Sequence, residues 1–158
     1  MNRDDLRVGV SAGILAATAT SGALIAIGSR TSTAARPFNT IAAHIMGAQR
    51  ADAFGFVPVI TITGIALHVL LVMLTGIAVA VVARRQLTPA WLASISLTLI
   101  AALVSIGIAR RGGSSLAGLL AVGDLLLFYV TLAASLTLGA RFAFFDTGKG
   151  RRSRIESM

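Results

Sequence analysis

The sequence predicts an all-α membrane protein, with four transmembrane helices in a bundle and a short amphipathic interfacial helix between the first and second. Three observations lead there. Four apolar runs, Val8 to Ser29, Ala53 to Ala83, Gln86 to Ala109 and Gly112 to Ala140, each exceed the roughly 20 helical residues needed to cross a hydrocarbon core of about 30 Å. Every charged residue except Asp124 lies outside those runs. The chain has 158 residues, is 56% hydrophobic and has a mean hydropathy of +0.85, so residues 1–158 read as a single four-span membrane domain with no separate soluble unit.

The first span is placed at 8–29. It is read as a retained span and not a cleaved signal peptide, because Asp4 and Asp5 dilute the positive N-terminal region and the apolar stretch outruns a signal sequence. In the connection that follows, Phe38, Ile41, Ala42, Ile45 and Met46 recur at helical spacing after Pro37 and before Gly47. That pattern predicts an interfacial helix over 37–47. Phe54, Phe56 and Pro58 lead into the second span at 56–83. Pro89 and Trp91 open the third at 89–109, with a helix-start proline and an aromatic at the expected interface. The fourth span is placed at 115–139. A basic tail, 141–158, follows and is expected to rest on anionic lipid or fray.

Lys and Arg counts set orientation. The N-terminus, the second loop (Arg84, Arg85) and the tail (Arg141, Lys149, Arg151, Arg152, Arg154) carry more of them than the first and third loops do, so both termini are expected in the cytoplasm. Only one of the 14 basic residues is lysine, a bias that suggests a GC-rich bacterial genome, and a bacterial cytoplasmic membrane is the expected location. Arg84, Arg85, Arg141, Arg151 and Arg152 are the expected contacts to lipid headgroups. The net charge of +8 is assigned to this role and not to nucleic acid, since no soluble module is present to read bases.

Small residues mark the faces on which membrane helices pack, because in lipid close backbone approach replaces the hydrophobic effect as the driving force. Gly9, Gly13, Ala16, Thr20 and Ala23 form one stripe of the first span, and Ser94, Thr98, Ala101 and Ser105 one of the third. The second span offers Thr61, Gly64, His68, Leu71 and Thr75. The fourth offers Ala117, Ala121, Asp124, Phe128, Thr131 and Ser135. Counted from Val57 and Ser115 at 1.5 Å per residue, His68 and Asp124 lie about 17 and about 14 Å down two parallel spans. At matched depth they are expected to form a buried polar pair, each lowering the cost of burying the other. Two other readings of Asp124 stay open: a protonated carboxyl bonded to a Ser or Thr of a neighbouring helix, and a ligand or proton-carrying role.

The chemical repertoire is narrow. With no cysteine, thiolate nucleophiles, disulfides and thiol-held metals are excluded, and with them the four-helix quinone-linked thiol oxidoreductases. No metal site and no catalytic residue is predicted. Hydrolytic motifs are missing, as are the charged helical motifs of four-span glutathione and eicosanoid enzymes. A b-type cytochrome needs facing axial histidines, but the chain has only His44 and His68. No cofactor is predicted. Gly64-xxx-His68 leaves open one alternative, a tetrapyrrole (haem or bacteriochlorophyll) on His68, with Gly64 making room for the macrocycle. Small multidrug transporters share the span count and length but carry their glutamate in the first span, which here has no acid.

Arg36-Pro37-Phe38-Asn39, His44, the turn Gly47-Ala48-Gln49-Arg50-Ala51-Asp52 and a long span containing His68 together resemble a scattered group of small four-helix bacterial membrane proteins without an assigned activity. The resemblance covers the first half of the chain. It implies the topology and transfers no functional residue. The function expected from the sequence is a small non-catalytic accessory or structural subunit of a larger bacterial membrane complex, of the respiratory or photosynthetic kind, contacting lipids and other membrane subunits. The alternative is a small proton-coupled transporter built on Asp124 with His68.

Overall fold

A computed structural model describes residues 3–50, 53, 55–85, 89–111 and 116–155; of Asp4, Arg84, Arg85 and residues 144–155 it describes the backbone alone. The described residues form six α-helices: α1 (Arg3–Thr31), α2 (Arg36–Met46), α3 (Pro58–Arg85), α4 (Ala90–Arg110), α5 (Leu116–Leu119) and α6 (Val122–Ile155). A single 3-10 turn, Ala48–Arg50, follows α2, and no strand occurs among the described residues. Helices α1, α3, α4 and α6 are each long and apolar enough to cross a membrane, which puts the chain in the multi-pass membrane class.

A helix in lipid must satisfy its polar groups from within. The hydroxyls on these helices do so by donating back one turn: Thr18 to the Ile14 carbonyl, Ser29 to Ile25, Thr63 to Val59, Thr75 to Leu71 and Thr137 to Ala133, all at 2.7 to 3.0 Å. Apolar side chains dominate the outer surfaces. Ile62, Leu70, Leu74, Leu99, Leu103, Leu126 and Val130 are all more than half exposed, as lipid-facing residues should be.

Helix α1 lies between α3 and α6 and runs antiparallel to both. A Cβ added to Gly9 would come within 2.5 Å of the Ile77 Cα, and one on Gly13 within 2.7 Å of the Met73 Cα. From the other side, a Cβ on Gly76 would come within 2.5 Å of the Gly9 carbonyl oxygen. On α6, a Cβ on Gly139 would stand 2.6 Å from the Ala12 Cα. Backbone thus meets backbone at both seams, an approach that only small residues allow. Ala16, Ala17, Val72, Val79, Leu132 and Leu136 fill the space between them. Helix α4 packs chiefly on α6 and less on α3, through Ala93, Ser94 and Thr98. It has the least cover of the four, with 17% of its apolar window buried against 39% for α1.

Several expected boundaries change. Helix α1 begins at Arg3, ahead of the expected 8, and α6 continues to Ile155, so the backbone of the expected basic tail, 141–158, is helical through Ile155. The fourth span, expected as one helix over 115–139, is divided: α5 ends at Leu119, Leu120 and Ala121 are not helical, and α6 begins at Val122. Gly118 and Gly123 flank the break, where glycine weakens helix by about 1 kcal/mol relative to alanine. The helix expected over 37–47 occupies Arg36–Met46, with Pro37 in its first turn and Gly47 (φ +96°) after its last. Its burial is not that of a helix lying on a surface, however. Every residue from Pro37 to Ala43 is buried, enclosed by α3, α5 and the end of α1.

Candidate functional site

Asn39, Thr40 and Thr61, with His68 and Thr20 one to two turns deeper, form a buried polar group towards the end of the molecule where α1 ends, α3 and α6 begin and α2 is wedged between them; Ser94, Thr98 and Ser135 are buried elsewhere. Gly64 sets the wedge: a Cβ on it would fall on the Phe38 carbonyl oxygen, so the α2 backbone rests directly on α3. Asn39, fully buried, ties α2 down. Its Nδ2 donates to the carbonyls of Ala53 at 2.9 Å and Gly55 at 3.1 Å, while its Oδ1 accepts from the Thr61 hydroxyl at 2.7 Å. Both amide protons and the amide oxygen are therefore used, which makes the burial of this side chain tolerable. Gly55, at φ +80°, bends the chain so that its carbonyl meets the amide.

One turn further along α3, His68 is 3% exposed. Its Nε2 lies 2.9 Å from the Thr20 hydroxyl of α1, and that hydroxyl also lies 2.7 Å from the Ala16 carbonyl. When Thr20 gives its single proton to Ala16, the imidazole donates to Thr20; when Thr20 gives it to the imidazole, Nε2 accepts. The Phe38 ring stands edge-on to the imidazole and the Phe128 ring is tilted against it, both with centroids 6.1 Å away. His68 is thus a polar link between α1 and α3, closed off by aromatic rings.

Asp124 is elsewhere. It occupies the first turn of α6, and its Oδ1 accepts from Arg30 Nη2 at 2.7 Å. Arg30 belongs to the last turn of α1. A carboxylate at a helix start and a guanidinium at a helix end each also suit the local backbone dipole. The pair closes one end of the α1–α6 seam, with the arginine side chain 62% exposed and the aspartate 18%.

The expected His68–Asp124 pair therefore does not form. Asp124 stands one turn, about 6 Å, before Phe128, the α6 residue whose ring packs on His68, and at that level its carboxylate meets Arg30 while Thr20 takes the imidazole. The expected clearance for a macrocycle above Gly64 is also absent, because the Phe38 backbone fills it and Nε2 is engaged by Thr20. Of the residues expected on packing faces, Gly9, Gly13, Ala16 and Thr20 turn towards α3 and α6, Gly64 towards α2, and Ser94 and Thr98 are buried on α4. Ser105 is half-buried and hydrogen-bonds the Tyr129 side chain of α6. Ala117 is half-buried on α5, whereas Ala121 is exposed at the break between α5 and α6. Leu71, expected on the inner stripe of α3, is 57% exposed, and Val72 takes its place. Arg141 is exposed; the side chains of Arg84, Arg85, Arg151 and Arg152 lie outside the described residues.

Sequence reasoning missed the Asn39–Thr61 tie and the Arg30–Asp124 pair. Only the first left a trace, since an amide just after Pro37 suits a short helix that must be held in place; Asp124 lies inside a continuous apolar run, with Gly118 and Gly123 the sole marks of the break before it. No group of three or more potential metal-ligating residues occurs among the described residues. Comparison of the chain with protein-family models, with curated proteins and with solved structures gives no match.

Proposed function

We propose that this chain is a small non-catalytic membrane subunit that stabilises or spaces a larger bacterial membrane complex, of the respiratory or photosynthetic kind. One observation carries the reading: the three prominent polar centres are each committed to a partner within the chain. His68 is held by Thr20, Asn39 by the 53–55 turn and Thr61, and Asp124 by Arg30. These contacts hold helices together. Helix α4, with the least cover from its own chain, is the face offered to a neighbouring subunit. The Lys and Arg bias puts both termini in the cytoplasm, so the helix ends joined by Arg30–Asp124, and α2 beside them, belong to the outer leaflet, where four spans in antiparallel order form a bundle.

The transporter alternative loses its basis, because it needs an acid deep in the membrane that can exchange a proton for substrate. Asp124 stands in the first turn of its helix and is ion-paired. The two readings separate on extraction at native abundance in a mild detergent, followed by cross-linking and mass spectrometry. A subunit co-purifies with membrane partners in fixed ratio and forms cross-links from α4. A solitary species whose proton-driven flux is abolished by Asp124→Asn would refute the proposal.

A further inference from the structure

A cavity of about 360 Å³ lies beside α2, at the small end of the range for ligand pockets. Its walls are Ile25 of α1, Ala34 and Ala35 of the α1–α2 connection, Phe38 of α2, Phe56, and Ile65 of α3, together with Thr33 and Thr61. Thr61 donates its hydroxyl proton to Asn39, and the Thr33 hydroxyl oxygen is buried without a hydrogen-bond partner among the described residues. The other walls are apolar side chains, which give a water too few of the two to four partners it needs. Phe56, Ile25 and Ile65 are 64%, 47% and 38% exposed, so the cavity opens sideways onto the apolar surface of the protein.

Depth selects the occupant. Thr61 and Ile65 lie about 5 and about 10 Å into α3, at 1.5 Å per residue. That is the level at which the hydrocarbon of the adjacent leaflet begins when α3 spans the bilayer. We infer that this cavity is a binding site for one acyl chain of a membrane phospholipid, seated between α1, α2 and α3 with the Phe38 ring as its floor. The site holds whether the chain acts alone or as a subunit, and it needs only that the four helices span. A chain resting there covers Ile25, Phe56 and Ile65, which the protein itself leaves exposed.

Photo-cross-linking tests this. The full chain is reconstituted in vesicles of phosphatidylethanolamine and phosphatidylglycerol that carry a diazirine on the upper part of one acyl chain. Leu99 and Leu103 of α4 serve as the reference, being 58% and 60% exposed and away from the cavity. Label on the peptides holding Ile25, Ala34 to Phe38, and Ile65 is expected to exceed that on the reference peptide by about fivefold, as a site with roughly 1 kcal/mol of preference would give. Ala34→Trp and, separately, Ile65→Trp fill the cavity and are expected to bring that label down to the reference level, with melting temperature and elution volume as the check that each variant is folded. Even labelling of both faces in the wild-type protein would overturn the inference. So would full label persisting in both folded variants.

Discussion

Gly64→Ala is expected to be the most damaging single-methyl change on α3. The added Cβ would land on the Phe38 carbonyl oxygen, and it would stand 2.5 Å from the Phe38 carbonyl carbon and 3.1 Å from its Cα. Its neighbours are backbone, so no side chain can swing aside. Relief requires α2 to retreat by about 1 Å, since carbon atoms pack at about 3.5 Å or more. That retreat pulls on Asn39, whose three bonds now measure 2.7 to 3.1 Å and would pass beyond hydrogen-bonding range. Overpacking costs about 1 to 3 kcal/mol, and a buried amide left without partners costs about 1 to 3 kcal/mol more. Alanine's better helix propensity returns about 1 kcal/mol. A net loss of about 1 to 5 kcal/mol follows from those terms. The measurement is equilibrium unfolding in mixed micelles, with Gly22→Ala as the paired control because nothing lies within 4 Å of a Cβ at Gly22. The control should match the wild type or exceed it slightly. If Gly64→Ala were as stable as Gly22→Ala, α2 would not rest on α3 and the wedge would be wrong.

Four further outcomes are expected. Thr20→Ala and His68→Ala should be non-additive, with a coupling of about 0.6 kcal/mol, the average for polar contacts between membrane helices; additive losses would break the link. Arg30→Gln and Asp124→Asn should couple by no more than about 1 kcal/mol, because the arginine is largely exposed, and the coupling should shrink as salt is raised. In the same unfolding assay His68→Ala and Asp124→Ala should add within about 0.5 kcal/mol, and a larger coupling would restore the pair that the structure separates. Asn39→Ala should cost about 1 to 3 kcal/mol in that assay, whereas His44→Ala, at the exposed far end of α2, should cost less, and equal losses would refute the tie.

The helices were legible because length, apolarity and charge placement are local properties of the chain. The run Ala53 to Ala83 needs no partner to be read as a span, and Pro58, Pro89 and Gly47 mark boundaries by what their own backbones can adopt. The faces were legible in part. On α1 the small residues that permit close approach are also those that touch α3 and α6. On α3 the expected stripe drifts at Leu71, because alternating steps of three and four do not follow a straight helix of 3.6 residues per turn, and the buried set 68, 72, 76 moves by fours.

What stayed hidden depends on neighbours distant in sequence. A hydropathy run cannot show that α5 and α6 are separate, since Leu120 and Ala121 are as apolar inside a break as inside a helix. That one break moves Asp124 from mid-span to a helix start, and so exchanges His68 for Arg30 as its partner. Arg30 itself looked like a loop charge that merely orients the first span, yet it sits in the last turn of α1, on the side that faces α6. An intramembrane acid is therefore only as deep as the helix start from which it is counted. Here the strongest sequence signal of chemistry in the membrane becomes a clasp at its edge, and the residue left at depth, His68, is sealed by Phe38, Phe128 and Thr20 in a contact between helices.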